Sequence, residues 1–189
     1  MPKNNKGYLT AKQSPESDEC LTTRYAVEPI IKYLLAKNYK TIWCPFDEDH
    51  SWYVRLLRNY GFTVLYSHIS QGCDFFNYTP NIEYDCIVSN PPFSLKDKVI
   101  ERLYTLNKPF AMLMPQNTLQ STFRTPLFIK NGIEYLGFDK RISFYINGDL
   151  SKPQKGTAFA SGYFCKDVLP DKLVLEEIVL KDEPYYATI

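Results

Sequence analysis

Two patterns of apolar residues alternate along the chain between Thr22 and Gly132. Segments 22–39 and 95–107 place apolar residues three and four positions apart, which is typical of helices with one buried face. Between such segments, short runs such as 86–88 are continuously apolar, as in strands that are buried on both sides. The pattern therefore predicts an α/β protein with a mostly parallel sheet that helices cover on both faces.

The first helix should begin at Thr22 or Thr23, either of which is a suitable cap, and Pro29 predicts a kink or a later start. The predicted elements up to Gly132 are helix 22–39, strand 40–44, helix 47–61, strand 62–69, strand 84–89, helix 95–107, strand 109–115 and an irregular helical segment 118–132. Four strand-like runs follow, which are 133–138, 141–146, 156–165 and 172–180. This strand-rich end predicts an antiparallel C-terminal hairpin at one edge of the sheet.

Length and composition favour one globular domain over 1–189, with residues 1–20 as a loose N-terminal arm. Of the 189 residues, 44% are hydrophobic and 15% aromatic, which suits a folded chain with a sizeable core. The net charge is only +1, so binding to nucleic acid requires a local basic patch. Neither a signal peptide nor a membrane-spanning stretch is expected.

The five cysteines are dispersed along the chain, and only two histidines are present. An odd, scattered set without CxxC spacing is typical of reduced thiols in the cytoplasm, not of a disulfide framework. The same scarcity of ligands argues against a zinc site, and we expect no metal.

A motif that could form a binding or catalytic site, Asn90-Pro91-Pro92-Phe93, follows the predicted strand 84–89 directly. Proline fixes its own φ and lacks an N–H, and it holds the preceding Asn90 extended. The side-chain oxygen of Asn90 and the carbonyl of Pro91 could then point into one cleft as two acceptors for an –NH2 group. Phe93 could stack on the planar group that carries this amine. The alternative interpretation is a stiff connection between a strand and a helix.

This motif resembles the catalytic motif of the amino-methyltransferases, which transfer a methyl group from S-adenosylmethionine to exocyclic or amide nitrogens. The resemblance implies a Rossmann-like methyltransferase fold and a mechanism of positioning and electrostatics without a general base before methyl attack. The version that begins with asparagine is most typical of DNA adenine-N6 methyltransferases. It also occurs in enzymes that act on RNA adenine or on protein glutamine, so these alternatives stay open.

Upstream segments resemble the cofactor-binding motifs of the same family. The segment "TIWCPFDEDHS" stands where the first strand and its cofactor loop belong, which implicates Pro45, Phe46 and Asp47. "GCDFF" resembles the segment whose acid binds the adenine amine of the cofactor, and this carries over to Asp74 and Phe75. The segment 18–34 looks like the motif that closes over the methionine end of the cofactor. It implicates three further residues, Thr22, Thr23 and Tyr25, and Asn90 is also placed beside the cofactor.

Together with "FAMLMPQNTLQS" and "GTAFASGYFC", these segments resemble the small phage and prophage adenine methyltransferases over residues 18–165. The resemblance implies S-adenosylmethionine as the cofactor, and the cytoplasm of a bacterium or a phage-infected cell as the location. Two features depart from the family. The cofactor loop 45–50 contains no glycine, and the ribose-binding acid is replaced by Ser67-His68. A binding module that has lost cofactor capture is therefore a third hypothesis.

A duplex adenine must leave the base stack to enter such a pocket, so the protein needs contacts to phosphates. The candidates lie in two loops and one short segment, and they are Arg124, Lys140, Arg141, Lys152 and Lys155. The chain has no room for a separate target-recognition domain. We therefore expect a short target sequence, or a partner protein that supplies recognition, and the oligomeric state stays open.

Overall fold

A computed structural model of the chain describes residues 20–146, 149–154, 159–181 and 184–186. The expected arm lies outside these residues apart from Cys20, and Lys155 lies outside them as well. None of the described helices has the length and apolar character needed to cross a membrane.

The described helices agree with the predicted order. They are α1 (Arg24–Ala36), α2 (Trp52–Asn59), α3 (Lys96–Leu106) and α4 (Arg124–Asn131). Short 3-10 turns occupy Ile69–Gln71, Phe93–Leu95 and Gln116–Leu119. The strands are β1 (Leu21–Thr22), β2 (Thr41–Cys44), β3 (Thr63–Tyr66), β4 (Cys86–Ser89), β5 (Phe110–Pro115), β6 (Glu134–Phe138), β7 (Phe144–Tyr145), β8 (Ser161–Lys166) and β9 (Leu173–Glu176).

Helix α2 begins later than the sequence predicts, and this difference shapes the site. Ser51 is its N-cap, and the Ser51 hydroxyl accepts a hydrogen bond of 3.2 Å from the backbone N–H of Val54. Gly61 follows the helix with a φ of +88°, a conformation that glycine adopts without a steric penalty. Residues 45–50, which include Asp47, are therefore a loop between β2 and α2.

Seven strands form the main sheet in the order β3-β2-β4-β5-β8-β6-β9. All neighbouring pairs are parallel except those of β8, which runs antiparallel to both β5 and β6. The antiparallel strand thus lies inside the sheet, while β9 forms the edge and is parallel to β6. This topology is the Rossmann-like α/β class that the sequence predicts.

Two hydrophobic clusters pack on opposite faces of the sheet, because alternate strand residues point to opposite sides. Helices α1 and α2 pack on one face, where Ile42 and Cys44 of β2 are buried. Helix α3 and Phe128 of α4 pack on the other face, where Trp43 of β2 is buried. The helices on both faces leave the carboxyl ends of the parallel strands as the place for a ligand.

A second, two-stranded sheet joins distant parts of the chain. Strands β1 and β7 pair antiparallel, with Leu21 opposite Tyr145 and Thr22 opposite Phe144. This small sheet holds the first described residues against the segment that follows β6.

The packing of β8 generates a stability prediction at Gly162. A Cβ atom there would lie 2.6 Å from the Leu136 carbonyl oxygen and 2.5 Å from the Tyr135 hydroxyl oxygen. Such overpacking typically costs about 1–3 kcal/mol, so Gly162→Ala should lower the melting temperature on the order of 5 °C. Differential scanning calorimetry measures this change.

Ser161→Ala is the matched control, because the buried Ser161 hydroxyl has no hydrogen-bond partner and its removal leaves no new group unpaired. This variant should melt at or above the temperature of the unmodified protein. Equal melting temperatures for Gly162→Ala and the unmodified protein would contradict the close packing of β8 and β6.

Candidate active site

A cavity of about 800 Å³ lies at the carboxyl ends of β2, β3 and β4. The strand order reverses at β2, since β3 pairs with one side of it and β4 with the other. Such a reversal opens a crevice beyond the strand ends, which is the usual ligand site of an open α/β sheet. The loops that follow these three strands line the cavity, and the small sheet β1–β7 adds a further wall.

The cavity brings together most of the residues that the sequence analysis nominated for cofactor binding and catalysis. Those that line it are Thr22, Pro45, Phe46, Asp47, Asp74, Phe75, Asn90 and Pro92. They come from four separate segments of the sequence, so the fold gathers them. Their roles remain predictions.

The side-chain oxygen of Asn90, a residue that lines this cavity, lacks a described hydrogen-bond partner. The Asn90 Nδ2 donates a hydrogen bond of 2.9 Å to the carbonyl oxygen of Cys20. Because a carbonyl can only accept, this contact fixes the orientation of the amide and leaves Oδ1 as the remaining atom. Oδ1 is buried and has no hydrogen-bond partner among the residues that the structure describes. A buried acceptor without a partner destabilises a fold by about 1–3 kcal/mol, and such exceptions are often functional.

A buried carboxyl group lies between the ends of β2 and β4. Asp47 is only 7% exposed, and its Oδ2 accepts a hydrogen bond of 2.5 Å from the Ser89 hydroxyl. Burial raises the pKa of Asp47 from its ordinary value of 3.8 to about 6, although hydrogen bonds from Ser89 and Ser51 oppose that rise. The cavity floor therefore carries a carboxyl that changes charge near neutral pH.

An aromatic wall faces the loop after β3. Phe75 is buried, with its ring centroid 4.8 Å from that of Phe46 and 5.6 Å from that of Trp43. The carboxylate of Asp74 accepts one hydrogen bond from the Phe76 backbone N–H and one from the Asn77 Nδ2, both of 3.0 Å. These bonds hold the turn in place, and each carboxylate oxygen keeps a second acceptor position.

Four nominated residues do not line the cavity, namely Thr23, Tyr25, Pro91 and Phe93. Thr23 is the N-cap of α1. Tyr25 is buried, and its hydroxyl accepts a hydrogen bond of 2.9 Å from the Ser143 backbone N–H. Both residues shape the cavity from behind its wall.

The stacking role expected for Phe93 does not fit this arrangement. Phe93 is 5% exposed, and its ring packs edge-on against Phe144 and Phe159 at centroid distances of 6.0 and 5.4 Å. The short 3-10 turn after Pro92 directs the ring into the core, and Leu95 lines the cavity instead. Phe93 therefore supports the turn from below.

Arg124 is not available for phosphates, contrary to the sequence expectation. It is 5% exposed, and its guanidinium donates hydrogen bonds to the carbonyl oxygens of Thr118, Asn117 and Gln120. It also forms an ion pair with Asp97. The sequence shows the charge of Arg124 but not its burial. Sequence reasoning therefore predicted a surface cation, whereas the side chain is buried.

The other basic candidates are distributed around the described surface. Lys140 donates a hydrogen bond of 2.8 Å to the Ile178 carbonyl oxygen and pairs with Asp139. Arg141 and Lys152 are exposed. Their contact with nucleic acid stays a prediction.

Sequence reasoning missed a polar group at the side of the cavity. Glu48 Oε1 accepts a hydrogen bond of 2.6 Å from the Ser70 hydroxyl, and it lies 3.6 Å from the Nδ1 of His68. Glu48 Oε2 lies 3.6 Å from the Nδ1 of His50. Glu48 and His50 belong to the glycine-free loop, so that loop supplies charged groups where glycines were expected.

Sequence reasoning also missed a wall that the end of the chain contributes. Tyr185 is 1% exposed and lines the cavity, with its ring against those of Tyr145, Trp52 and His50. Its backbone N–H donates to the Leu150 carbonyl oxygen at 2.8 Å. Only the tertiary fold brings these residues together, and no local motif indicates it.

The charge of the cavity is acidic. Asp47, Glu48 and Asp74 line it together with His50 and His68, and no lysine or arginine is among its described lining residues. Such a lining favours a cationic ligand group, and it offers no counterion for a pyrophosphate.

No family model matches the chain, and no curated protein matches it. Two solved structures overlap with it at 12% identity each. One is a protein from Thermoplasma acidophilum, assigned by inference as a methyltransferase, with a TM-score of 0.37 over 81% of this chain and 67% of that one. The other is a protein from Agrobacterium tumefaciens predicted to be an O-methyltransferase, with a TM-score of 0.34 over 72% and 65%. These low scores carry no argument about function.

The raised pKa of Asp47 predicts a specific pH dependence of stability. The carboxyl is neutral in both states below pH 3.8, whereas above about 6 its buried charge destabilises the folded state. The neutral carboxyl therefore contributes fully to the free energy of unfolding at low pH. This contribution, about 3 kcal/mol, is lost as the pH rises to about 6. Asp47→Asn should lack this loss and should be more stable than the unmodified protein at pH 8.

Denaturant unfolding at a series of pH values measures the effect. Asp171→Asn is the control, because Asp171 is exposed and lies outside the cavity lining. Parallel pH profiles for the unmodified protein and Asp47→Asn would contradict the burial of a titrating carboxyl.

Proposed function

We propose that this protein transfers a methyl group from S-adenosylmethionine to the exocyclic N6 of adenine in DNA. The observation that carries the proposal is Asn90, which lines an acidic cavity and whose Oδ1 is buried without a hydrogen-bond partner among the described residues. An amine that donates a hydrogen bond to this oxygen would give it the partner it lacks.

The cavity suits the proposed cofactor in size and in charge. When bound, S-adenosylmethionine supplies a methyl group on a positively charged sulfur, and its methionine end carries an ammonium group. Three carboxyl groups without an opposing lysine or arginine among the described lining residues favour such a cation. The aromatic wall of Phe46 and Phe75 suits a planar purine ring.

The residues around Asn90 would act by positioning the acceptor amine. The adenine amine is a weak nucleophile because its lone pair is conjugated with the ring. An acceptor at Asn90 Oδ1 would hold one of its hydrogens and favour a tetrahedral nitrogen, whereas Pro91, whose carbonyl was the expected second acceptor, does not line the cavity. The hydrogen bond from Asn90 to Cys20 would keep the amide oriented throughout.

DNA as the substrate rests on the resemblance and on local charge. Lys140, Arg141 and Lys152 are exposed cations that phosphate oxygens could contact. A flipped adenine would enter the cavity, and a partner protein could add sequence recognition. RNA adenine and a protein amide are the alternative acceptors.

The direct test combines calorimetry with S-adenosylmethionine and transfer of a labelled methyl group to unmodified DNA, RNA and protein. Label in DNA, with N6-methyladenine on base-resolved sequencing, supports the full proposal. Label only in RNA or protein supports the chemistry with another acceptor. The absence of cofactor binding would leave a binding module and overturn the proposal.

Asn90→Ala should abolish most of the transfer, because it removes the proposed acceptor for the amine. Loss of one hydrogen bond made in the transition state typically lowers the rate by ~10²–10³. The affinity for S-adenosylmethionine should change little, and Asn131→Ala on α4 serves as a control. Near-normal turnover of Asn90→Ala on a verified substrate would exclude the catalytic role.

Asp47→Asn should weaken cofactor binding in a pH-dependent manner. A lost charge-assisted hydrogen bond is worth roughly 1.5–3 kcal/mol, so affinity at pH 8 should fall about ten- to hundredfold. The affinity of the unmodified protein should rise as the pH increases through about 6, because Asp47 then ionises. Calorimetric titrations at pH 5 and pH 8 check both effects, with Asp171→Asn as the control. Equal affinities at both pH values in the unmodified protein would remove Asp47 from the cofactor site.

A further inference from the structure

Three exposed apolar side chains lie in the two loops that follow β4 and β5. Leu95 is 37% exposed, Leu119 is 39% exposed and Phe123 is 45% exposed. Leu95 also lines the cavity beside Asn90. We call these three side chains the rim patch.

Arg124 joins the two loops that carry the rim patch. Its Nε donates a hydrogen bond of 2.7 Å to the Thr118 carbonyl oxygen, and its Nη2 donates one of 3.1 Å to that of Gln120. On its other side, Arg124 forms the ion pair with Asp97, two residues after Leu95. The buried guanidinium thus fixes residues 117–120 against the start of α3 and holds the apolar side chains at the surface.

Phe123 is presented by a turn that is itself hydrogen-bonded. The Ser121 hydroxyl accepts a hydrogen bond of 3.1 Å from the Phe123 backbone N–H. Residues 115–123 contain no charged side chain, but they contain three amide side chains, at 116, 117 and 120. An exposed ring among uncharged hydrogen-bonding groups suits the face and edges of a nucleobase.

The charge beside the rim patch is positive. Lys96 and Lys98 flank Asp97, whose own charge is paired with Arg124. The first turn of α3 therefore leaves an excess of positive charge next to the apolar side chains. That combination suits a single strand of nucleic acid, in which bases alternate with phosphates.

We propose that the rim patch binds the nucleotide next to the target adenine, with Phe123 stacked on its base. The inference rests on the proposed function, because it assigns a neighbour to the base whose amine reaches Asn90. It also assigns the stacking role to Phe123, which is exposed in the loop after β5, and not to Phe93, which is buried. Leu95 and Leu119 would extend the apolar surface between the stacked base and the cavity.

The test measures binding of a fluorescein-labelled, single-stranded oligothymidylate with one central adenine, and of the corresponding duplex, by fluorescence anisotropy. Phe123→Ala should weaken binding about five- to hundredfold, which is the range that loss of base–aromatic stacking gives. Ile129→Ala is the matched control, because Ile129 is an apolar residue on the adjoining helix that is 81% exposed. Its affinity for the oligonucleotide should equal that of the unmodified protein.

Phe123→Trp provides a readout that a merely structural role would not change. Trp43 and Trp52 are both buried, so a new exposed tryptophan supplies a separable emission. Binding should be retained in this variant, and the added fluorescence should be quenched when the oligonucleotide binds.

Unchanged affinity of Phe123→Ala, an equal loss in Ile129→Ala, or unquenched fluorescence of Phe123→Trp would each overturn the stacking role. These results would leave the proposed function intact, because cofactor binding and the effect of Asn90→Ala do not involve Phe123. If the unmodified protein binds S-adenosylmethionine but neither oligonucleotide, the rim proposal fails and a protein amide becomes the acceptor to test.

Discussion

The hydrogen bond between Ser89 and the buried carboxyl of Asp47 ties the loop after β2 to the end of β4. It lies where the strand order reverses, so it fixes the two sides of the crevice relative to one another. The next residue, Asn90, donates a hydrogen bond to the Cys20 carbonyl oxygen, which joins the turn after β4 to the start of the described chain. Burial of the Asp47 carboxyl at this point lowers the free energy of unfolding when the group is ionised, and it places a negative charge inside the cavity.

The hydrophobic pattern was sufficient to predict the fold class. Segments with the apolar spacing of helices alternate along the sequence with short, continuously apolar runs that form the strands. It did not reveal that β8 lies between β5 and β6, since register and strand order depend on contacts between distant residues. The start of α2 was also misplaced, because Asp47 and Ser51 are both good caps and only packing decides between them. That one shift moves Asp47 out of the predicted helix and into the loop 45–50, where the family resemblance had already placed it.

The candidate site was predictable where a motif is local and unpredictable where burial decides. Asn90 and Asp74 belong to short motifs, and both line the cavity. Phe93 and Arg124 have the right chemistry, but each is buried, so each supports a loop from within. Glu48 and Tyr185 were missed because their neighbours, Ser70 and Tyr145, are remote in sequence.

The wall that Tyr185 adds has a consequence for the newly made chain. The residues that carry the strands are synthesised before residue 185, so the sheet can assemble on the ribosome while one side of the cavity is still open. The Tyr185 wall closes its side of the cavity through a backbone hydrogen bond to Leu150, which lies outside the main sheet. That side of the cavity can therefore form only after residue 185 has been synthesised.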